Sequence, residues 1–461
     1  MIVGQRIAIV GGGWAGLACA AELVKVPGTL PETIYVFEAA PQFGGRARGL
    51  HWLGHDIDNG QHLTIGAYTE TFTLLHGVNA PQWHEEPLRW AGVDRNAVVA
   101  HDWQVPNAAW PLRVIKDLLP GMGPKGWPFA WRRSMGRCLL ALQKTQFMPE
   151  RITALQWLSQ QDTPQGLMDH FWKPLIEGAL NTPIEQACMQ TVARVMNDSL
   201  AGPHKATAVL QPPNNLSREG VDPICAWLKT HKVSLHAGHR AVALAPNPMN
   251  NTVDLRLSAG GQDFIEPFNK IVMALPHEPS LTLWEASGLA HTTAITRLRQ
   301  LRSNAITTVW IALSDQAQRS LAHLPNWFVL NPITGIAPIG QVGVKRGKVL
   351  AIVISAQPSS NYRVSREQHE AQLTVQLKAQ LGIDIAPLAQ KWITEKSATW
   401  ACTPETPMAS AQEARGETGL PHIFRCSDDL EPGYPATIES AVRSGIRTAR
   451  TLRNLQGLFQ P

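Results

Sequence analysis

The chain has 461 residues, 44% hydrophobic and only 17% charged, which excludes a disordered protein and leaves room for several domain-equivalents around a large core. A formal net charge of +5, from 41 Lys and Arg against 36 Asp and Glu, is too mild over this length to imply nucleic acid. Six cysteines, none spaced as C-x-x-C, spell neither a zinc knuckle nor a thioredoxin-type site, so no metal is expected and a reducing, cytoplasmic setting fits.

The first element is a nearly unbroken apolar run from Ile7 to Leu23 behind Arg6. A secretion signal is one reading, but three consecutive glycines interrupt the run and its positive flank is a single arginine. The alternative reads Arg6 to Val10 as a buried strand, followed at once by Gly11-Gly12-Gly13-Trp14-Ala15-Gly16, a G-x-G-x-x-G turn opening a helix through Leu17, Ala21 and Val24. Gly11 allows the tight turn, Gly13 the approach of a pyrophosphate, and Gly16 close helix packing, with Trp14 and Ala15 supplying amides at the positive helix end. Glu38 closes the next apolar strand, Ile34 to Phe37, where an acid accepts hydrogen bonds from ribose hydroxyls. Strand, glycines, helix, strand and acid in register predict dinucleotide binding, with NAD and FAD both open.

Next come Gly44-Gly45-Arg46, which alone is a glycine turn with a solvated arginine, and Asp58-Asn59-Gly60-Gln61-His62 leading to Tyr68. Residues from about 90 to 204 read as mostly helical. Within them, Trp110 to Lys144 carries seven basic residues (Arg113, Lys116, Lys125, Arg132, Arg133, Arg137, Lys144) and one acid, Asp117, interleaved with Trp110, Trp127, Phe129 and Trp131 and broken by prolines 111, 120, 124 and 128. Such a segment suits the headgroup layer of an anionic membrane, or a solvated loop. Segments Arg240 to Leu244, Val253 to Leu257 and Ile271 to Leu275 read as strands, and about 286 to 395 as mixed strands and helices including Ile306 to Ile311. Near the end, Ile423 and Phe424 lead to Asp428, then Thr437 and Ile438 open a helix whose Ile438, Ala441, Val442, Gly445 and Ala449 make one small apolar face. No run reaches the roughly 18 apolar residues needed to cross a bilayer. Sixteen tryptophans against four tyrosines suggest extensive apolar contact surfaces or an interfacial belt.

The Gly44-Gly45-Arg46 element after Glu38, together with Gly433-Tyr434-Pro435-Ala436-Thr437-Ile438-Glu439, resembles the flavin-dependent amine oxidase and carotenoid desaturase superfamily. The resemblance implies an α/β fold: an FAD-binding Rossmann-like domain from residues 1–90, 205–285 and 396–461, and a mixed-sheet and helical substrate domain from 91–204 and 286–395. It implies FAD on Gly11, Gly13, Trp14, Ala15, Gly16, Glu38, Gly44, Gly45, Arg46, Gly60, Val242 (its backbone at the adenine), Asp428, Thr437 and Ile438. Where relatives read Gly-Asp this chain has Ser427-Asp428, which bears on how closely the backbone approaches the cofactor.

Gly60-Gln61-His62, Gly66-Ala67-Tyr68, Leu180-Asn181-Thr182-Pro183 and Ala401-Cys402-Thr403-Pro404 are most similar to the squalene-associated branch of that superfamily, the hydroxysqualene dehydroxylases. This likeness implies reductive removal of a hydroxyl from an apolar C30 isoprenoid, giving squalene for hopanoid and triterpenoid synthesis. That chemistry needs the allylic carbon about 3–3.5 Å from flavin N5 in a dry site. His62 and Tyr68 are the candidate proton donors, with Asp58 and Asn181 further candidates by motif position. Desaturation of a carotenoid, amine oxidation, or a non-catalytic prenyl-lipid carrier on the same fold are the alternatives. Many amine oxidases carry a lysine at the flavin, and none occurs here from Ile271 through Val344. The electron donor to the flavin is not identified, and peripheral contact with the inner membrane face through 110–144 is the expected partner surface.

Overall fold

The computed structural model describes residues 5–25, 33–105, 124–145, 151–200, 205–289, 293–336, 339–358 and 366–457. The apolar run near the N-terminus is the strand Ile7–Val10 and the helix Trp14–Val24, both almost wholly buried. That strand lies between Ile34–Glu38 and Lys270–Met273 in a five-stranded parallel sheet, whose remaining strands are Ser234–Ala237 and Ile423–Arg425. Parallel strands covered on both faces read as continuous apolar runs, which is why Ile-Ala-Ile-Val and Lys-Ile-Val-Met were recognisable as strands. Three widely separated stretches of chain thus supply one sheet.

The strands expected around Arg240 and Val253 do form, but in their own antiparallel sheet. Arg240–Asn247, Thr252–Ala259 and Gln262–Phe268 pair as a meander beside the parallel sheet. Val242 is the extra residue of a bulge between Ala241 and Ala243, so its backbone stands outside the ladder.

A third sheet of seven strands carries the rest: Gln390–Trp400, Ser303–Ala312, Val349–Pro358, Val342–Arg346, Trp327–Leu330, Arg89–Val93 and Val99–Gln104, in that order. The expectation of a mostly helical stretch from residue 90 therefore needs correcting at its start, because Arg89–Val93 pairs in parallel with Trp327–Leu330. On one face of this sheet, Trp90, Trp103, Trp127, Trp157, Trp172, Trp310 and Trp327 share one apolar cluster with Phe171.

That cluster also takes up part of the basic-aromatic segment. Trp110, Arg113, Lys116, Asp117, Pro111 and Pro120 lie outside the described residues, as does the side chain of Lys144. Trp127 is buried and Trp131 packs against the same cluster, while Arg132 donates to the Trp127 and Pro124 carbonyls. One face of the helix Phe129–Thr145 presents the exposed side chains of Phe129, Arg133, Arg137 and Leu140 to solvent.

At the far end of the chain, the helix Ile438–Gly457 crosses the helix Trp14–Val24 so closely that a Cβ on Gly445 would stand 2.2 Å from the Ala15 carbonyl oxygen. All six cysteines are free and buried.

Candidate active site

The N-terminal turn is built for an approaching backbone-sized group. A Cβ on Gly16 would lie 2.0 Å from the Gly11 carbonyl oxygen, so only glycine lets the helix sit on its own turn. The amide of Gly44 donates to the Gly12 carbonyl at 2.9 Å, tying the second glycine turn to the first. Gly45 has φ +60, and at Gly13 a Cβ would meet nothing nearer than the Gly45 Cα at 3.8 Å. Two bare backbones therefore face each other, at the start of a helix that has no side-chain cap and no acid in its first turn. Uncapped amides with a positive dipole behind them make an anion site. Trp14 turns away and donates from Nε1 to the Ala47 carbonyl, bracing the second turn.

Glu38 is held by two amides, its Oε2 accepting from Gly12 and its Oε1 from Ala40, each at 2.8 Å. A carboxylate keeps further lone pairs beyond those two bonds, as ribose recognition requires. Arg46 reaches across the molecule: Nη1 donates to the Ala398 carbonyl and Nη2 meets Asp428 at 2.7 Å. Ser427, which replaces the usual glycine, has an extended backbone at φ −169 that any residue adopts. Its hydroxyl turns inward and donates to Asp428 Oδ1 at 2.9 Å, so it fixes the acid instead of obstructing it.

Thr437 and Ser440 cap the C-terminal helix reciprocally, each amide donating to the other's hydroxyl. Ile438 is the first helical residue. Tyr68 hydrogen-bonds to the Thr437 side chain, and burial pushes its phenol well above the usual range. Glu439 was not singled out by sequence reasoning, yet it is fully buried. It accepts from the amides of Glu70 and Thr71 and from the Thr71 hydroxyl, capping the helix Thr69–Gly77, whose own N-terminal residue makes no side-chain cap. The signal for it was a lone acid in a helix of small residues.

The Gly60–His62 turn lies against the strand Ser303–Ala312. The Gln61 amide donates to Thr308 Oγ1 at 3.1 Å, and a Cβ on Gly60 would come within 3.8 Å of that oxygen and 3.7 Å of His62 Nε2. Beside it Asp58 is buried, paired with Arg346 at 2.6 Å, and accepts from the Leu216 amide; its carbonyl takes the Trp310 indole N–H. Burial raises the Asp58 carboxyl to about 6, against the pull of Arg346. Arg346 and Thr308 are the residues that sequence reasoning missed. A pair of threonines in an otherwise apolar strand was the only local signal, and nothing local marked Arg346.

Burial, reinforced by the Arg46 guanidinium, lowers His62 to about 4, so this candidate is a neutral imidazole at neutral pH and not a charged acid. Asn181 ends the helix Lys173–Leu180 in the left-handed region at φ 48, and its amide is spent on Asn304, Thr399 and Ala356. Its geometry is that of a strut between helix and sheet. Cys402 and Thr403 border a small cleft with Arg151, Trp400 and Gly433, where Arg151 Nε and Trp400 Nε1 have no partner.

Together these features fit FAD. A side-chain-free cradle faces an uncapped helix start, Glu38 stands where a ribose is expected, and Gln61 Oε1 is buried without a partner near the place expected for the ring.

Residues 14–453 match the family of flavin containing amine oxidoreductases. The chain is 24% identical over 464 residues to a hydroxysqualene dehydroxylase of Zymomonas mobilis subsp. mobilis, with 96% of this chain and 97% of that protein covered. It is 25% identical over 469 residues to a hydroxysqualene dehydroxylase of Rhodopseudomonas palustris, with the same coverage. Among solved structures, a putrescine oxidase bound to putrescine matches with a TM-score of 0.67 at 14% identity, over 97% of this chain and 98% of that one.

The histidine assignment has a signature in the pH dependence of stability. The unfolded chain takes up the His62 proton near 6.5 and the folded chain only near 4, so stability is lost as pH falls between those values. Asp58, raised from 3.8 to about 6, works in the opposite direction by taking up its proton earlier in the folded state. Thermal melts of His62→Gln should therefore lose less stability over that interval than the unsubstituted protein; parallel losses would show that His62 is not held neutral.

Proposed function

The chain belongs to the family of flavin containing amine oxidoreductases, FAD-dependent enzymes, and on that premise we propose that it converts hydroxysqualene to squalene by reductive removal of the hydroxyl group. The observation that carries this choice within the family is the end-to-end likeness to hydroxysqualene dehydroxylases, 96% of this chain against 97% of theirs. Squalene so made would supply hopanoid and triterpenoid synthesis.

Reduced FAD, when bound, supplies a hydride equivalent from N5. The chain's own residues do the rest. The amides of Gly13 to Gly16 and the Arg46–Asp428 pair would hold the phosphates and ribityl chain, and Glu38 would hold the ribose. Amides at the start of the helix Ile438–Gly457 would favour negative charge on a ring bound beside them. Trp90, Trp310 and Trp327 are buried in one apolar cluster behind this region and would help keep water from an allylic carbon held at the ring. His62 contributes hydrogen bonding as a neutral ring.

Amine oxidation is disfavoured because the strand Ser303–Ala312 lays Thr308 against Gly60 and has no lysine. Carotenoid desaturation would use the same parts with the hydride moving the other way. A protein purified without a yellow chromophore would favour the lipid carrier.

A C30 hydrocarbon is collected from and returned to a bilayer, and the open face of the helix Phe129–Thr145 supports adsorption there. Phe129 is 71% and Leu140 53% exposed, and Arg133 and Arg137 share their face. Among the described residues no helix is long and apolar enough to cross a membrane.

Two measurements test these readings. Chemically reduced holoprotein incubated anaerobically with hydroxysqualene should yield squalene by mass spectrometry; no squalene, with turnover of phytoene or an amine, would move the assignment. Co-sedimentation with anionic liposomes should fall severalfold in Arg133→Glu/Arg137→Glu, whereas unchanged pelleting defeats the membrane contact.

A further inference from the structure

Three buried polar atoms near the Gly60–His62 turn have no hydrogen-bond partner: Gln61 Oε1, His62 Nε2 and Arg346 Nη2. Buried polar groups are nearly always satisfied, so a cluster of exceptions beside a reaction site points to a missing ligand. The two at His62 and Arg346 have fixed hydrogen-bonding sense. The His62 ring is bonded to the Arg46 backbone, and its unpartnered atom is Nε2, so Nδ1 is the donor to that carbonyl. A neutral imidazole has one donor and one acceptor, which leaves Nε2 as a bare lone pair. Arg346 spends Nη1 on Asp58 Oδ2, while the other Asp58 oxygen is taken by the Leu216 amide. Its Nη2 is thus an N–H donor with nothing to receive it.

The two groups are also on one side of the sheet. His62 Nε2 and Thr308 Oγ1 both lie within 4 Å of the point where Gly60 lacks a side chain. Two residues along the same strand, Trp310 faces the same way as Thr308, and the Arg346 guanidinium stands 5.8 Å from its ring. Trp310 and Trp327 belong to the apolar cluster of this sheet.

An alcohol needs one donor for its oxygen and one acceptor for its hydrogen, which is the pair on offer. We propose that Arg346 Nη2 and His62 Nε2 form the binding site for the hydroxyl group of an isoprenoid alcohol, the guanidinium donating to the oxygen and the imidazole accepting from the O–H. The inference rests on the function proposed above and deepens it. It accounts for discrimination between substrate and product: squalene has the same chain without the hydroxyl and leaves both atoms unsatisfied, so it is held less tightly.

The test measures equilibrium binding of hydroxysqualene and squalene to the oxidised holoprotein, followed by perturbation of flavin absorbance. The unsubstituted protein should bind the alcohol about tenfold or more tightly than the hydrocarbon. Arg346→Lys keeps the charge beside Asp58 but loses the second planar donor, and Arg346→Gln/Asp58→Asn keeps the pair uncharged so that no carboxylate is stranded. Both should bring the affinity ratio close to one, with FAD content and the ligand-free flavin spectrum unchanged. A ratio that survives both substitutions overturns the proposal, as does a changed ligand-free spectrum with the ratio intact, which would assign these atoms to the flavin. If the unsubstituted protein makes squalene while the ratio is insensitive, only this inference falls. If it makes none, the functional reading beneath it falls as well.

Discussion

The molecule depends on a contact between backbones. Where Gly445 passes Ala15 there is no room for even a methyl group, so the last long helix can lie directly on the first. The C-terminal side of the candidate site is placed by that crossing. It carries Thr437 to Tyr68, puts Glu439 at the start of the helix Thr69–Gly77, and sets Asp428 opposite Arg46, 382 residues away in sequence. A cofactor lying along the N-terminal glycine turns would then find its far end covered by the C-terminal helix.

Electrostatics hold the crossing in place. Behind Asp428, Asp429 is buried between Arg425 at 2.5 Å and Arg297 at 2.6 Å, which overcome the effect of burial and keep its carboxyl well below the usual range. Removing one member of such a group leaves an uncompensated buried charge, typically a loss of about 3–5 kcal/mol. Arg297 also reaches Glu413, so the helix Thr293–Gln300 is tied to the C-terminal segment at two points. The Asp58–Arg346 pair differs. Burial wins there, the carboxyl is raised, and one guanidinium nitrogen stays unused. One buried arrangement is fully satisfied and structural, while the other retains hydrogen-bonding capacity for a visitor.

What could be read from the sequence was local. Ile7 to Gly16 carries its own strand, turn and helix signals within ten residues, and Glu38 follows at the spacing a βαβ unit imposes. The C-terminal helix announced its small face through Ile438, Ala441, Val442 and Gly445. Partnerships across the fold could not be read in this way. Arg346 meets Asp58 over 288 residues, and Gln61 meets Thr308 over 247. Periodicity also says which residues are apolar without saying which surface covers them. Trp127 looked suited to a membrane interface, yet it is buried against Phe171 in the cluster beside the seven-stranded sheet. His62 was legible as a position but not as a protonation state, because its charge is decided by burial and by the guanidinium of Arg46.

The proposed chemistry requires that both chain ends close on a single FAD. Hydrogen–deuterium exchange of the apoprotein, with and without added FAD, tests it without any substitution. Cofactor binding should protect the amides in residues 11–17, 44–48 and 437–441 simultaneously. Protection confined to the N-terminal turns, with the start of the C-terminal helix exchanging as before, would contradict that closure.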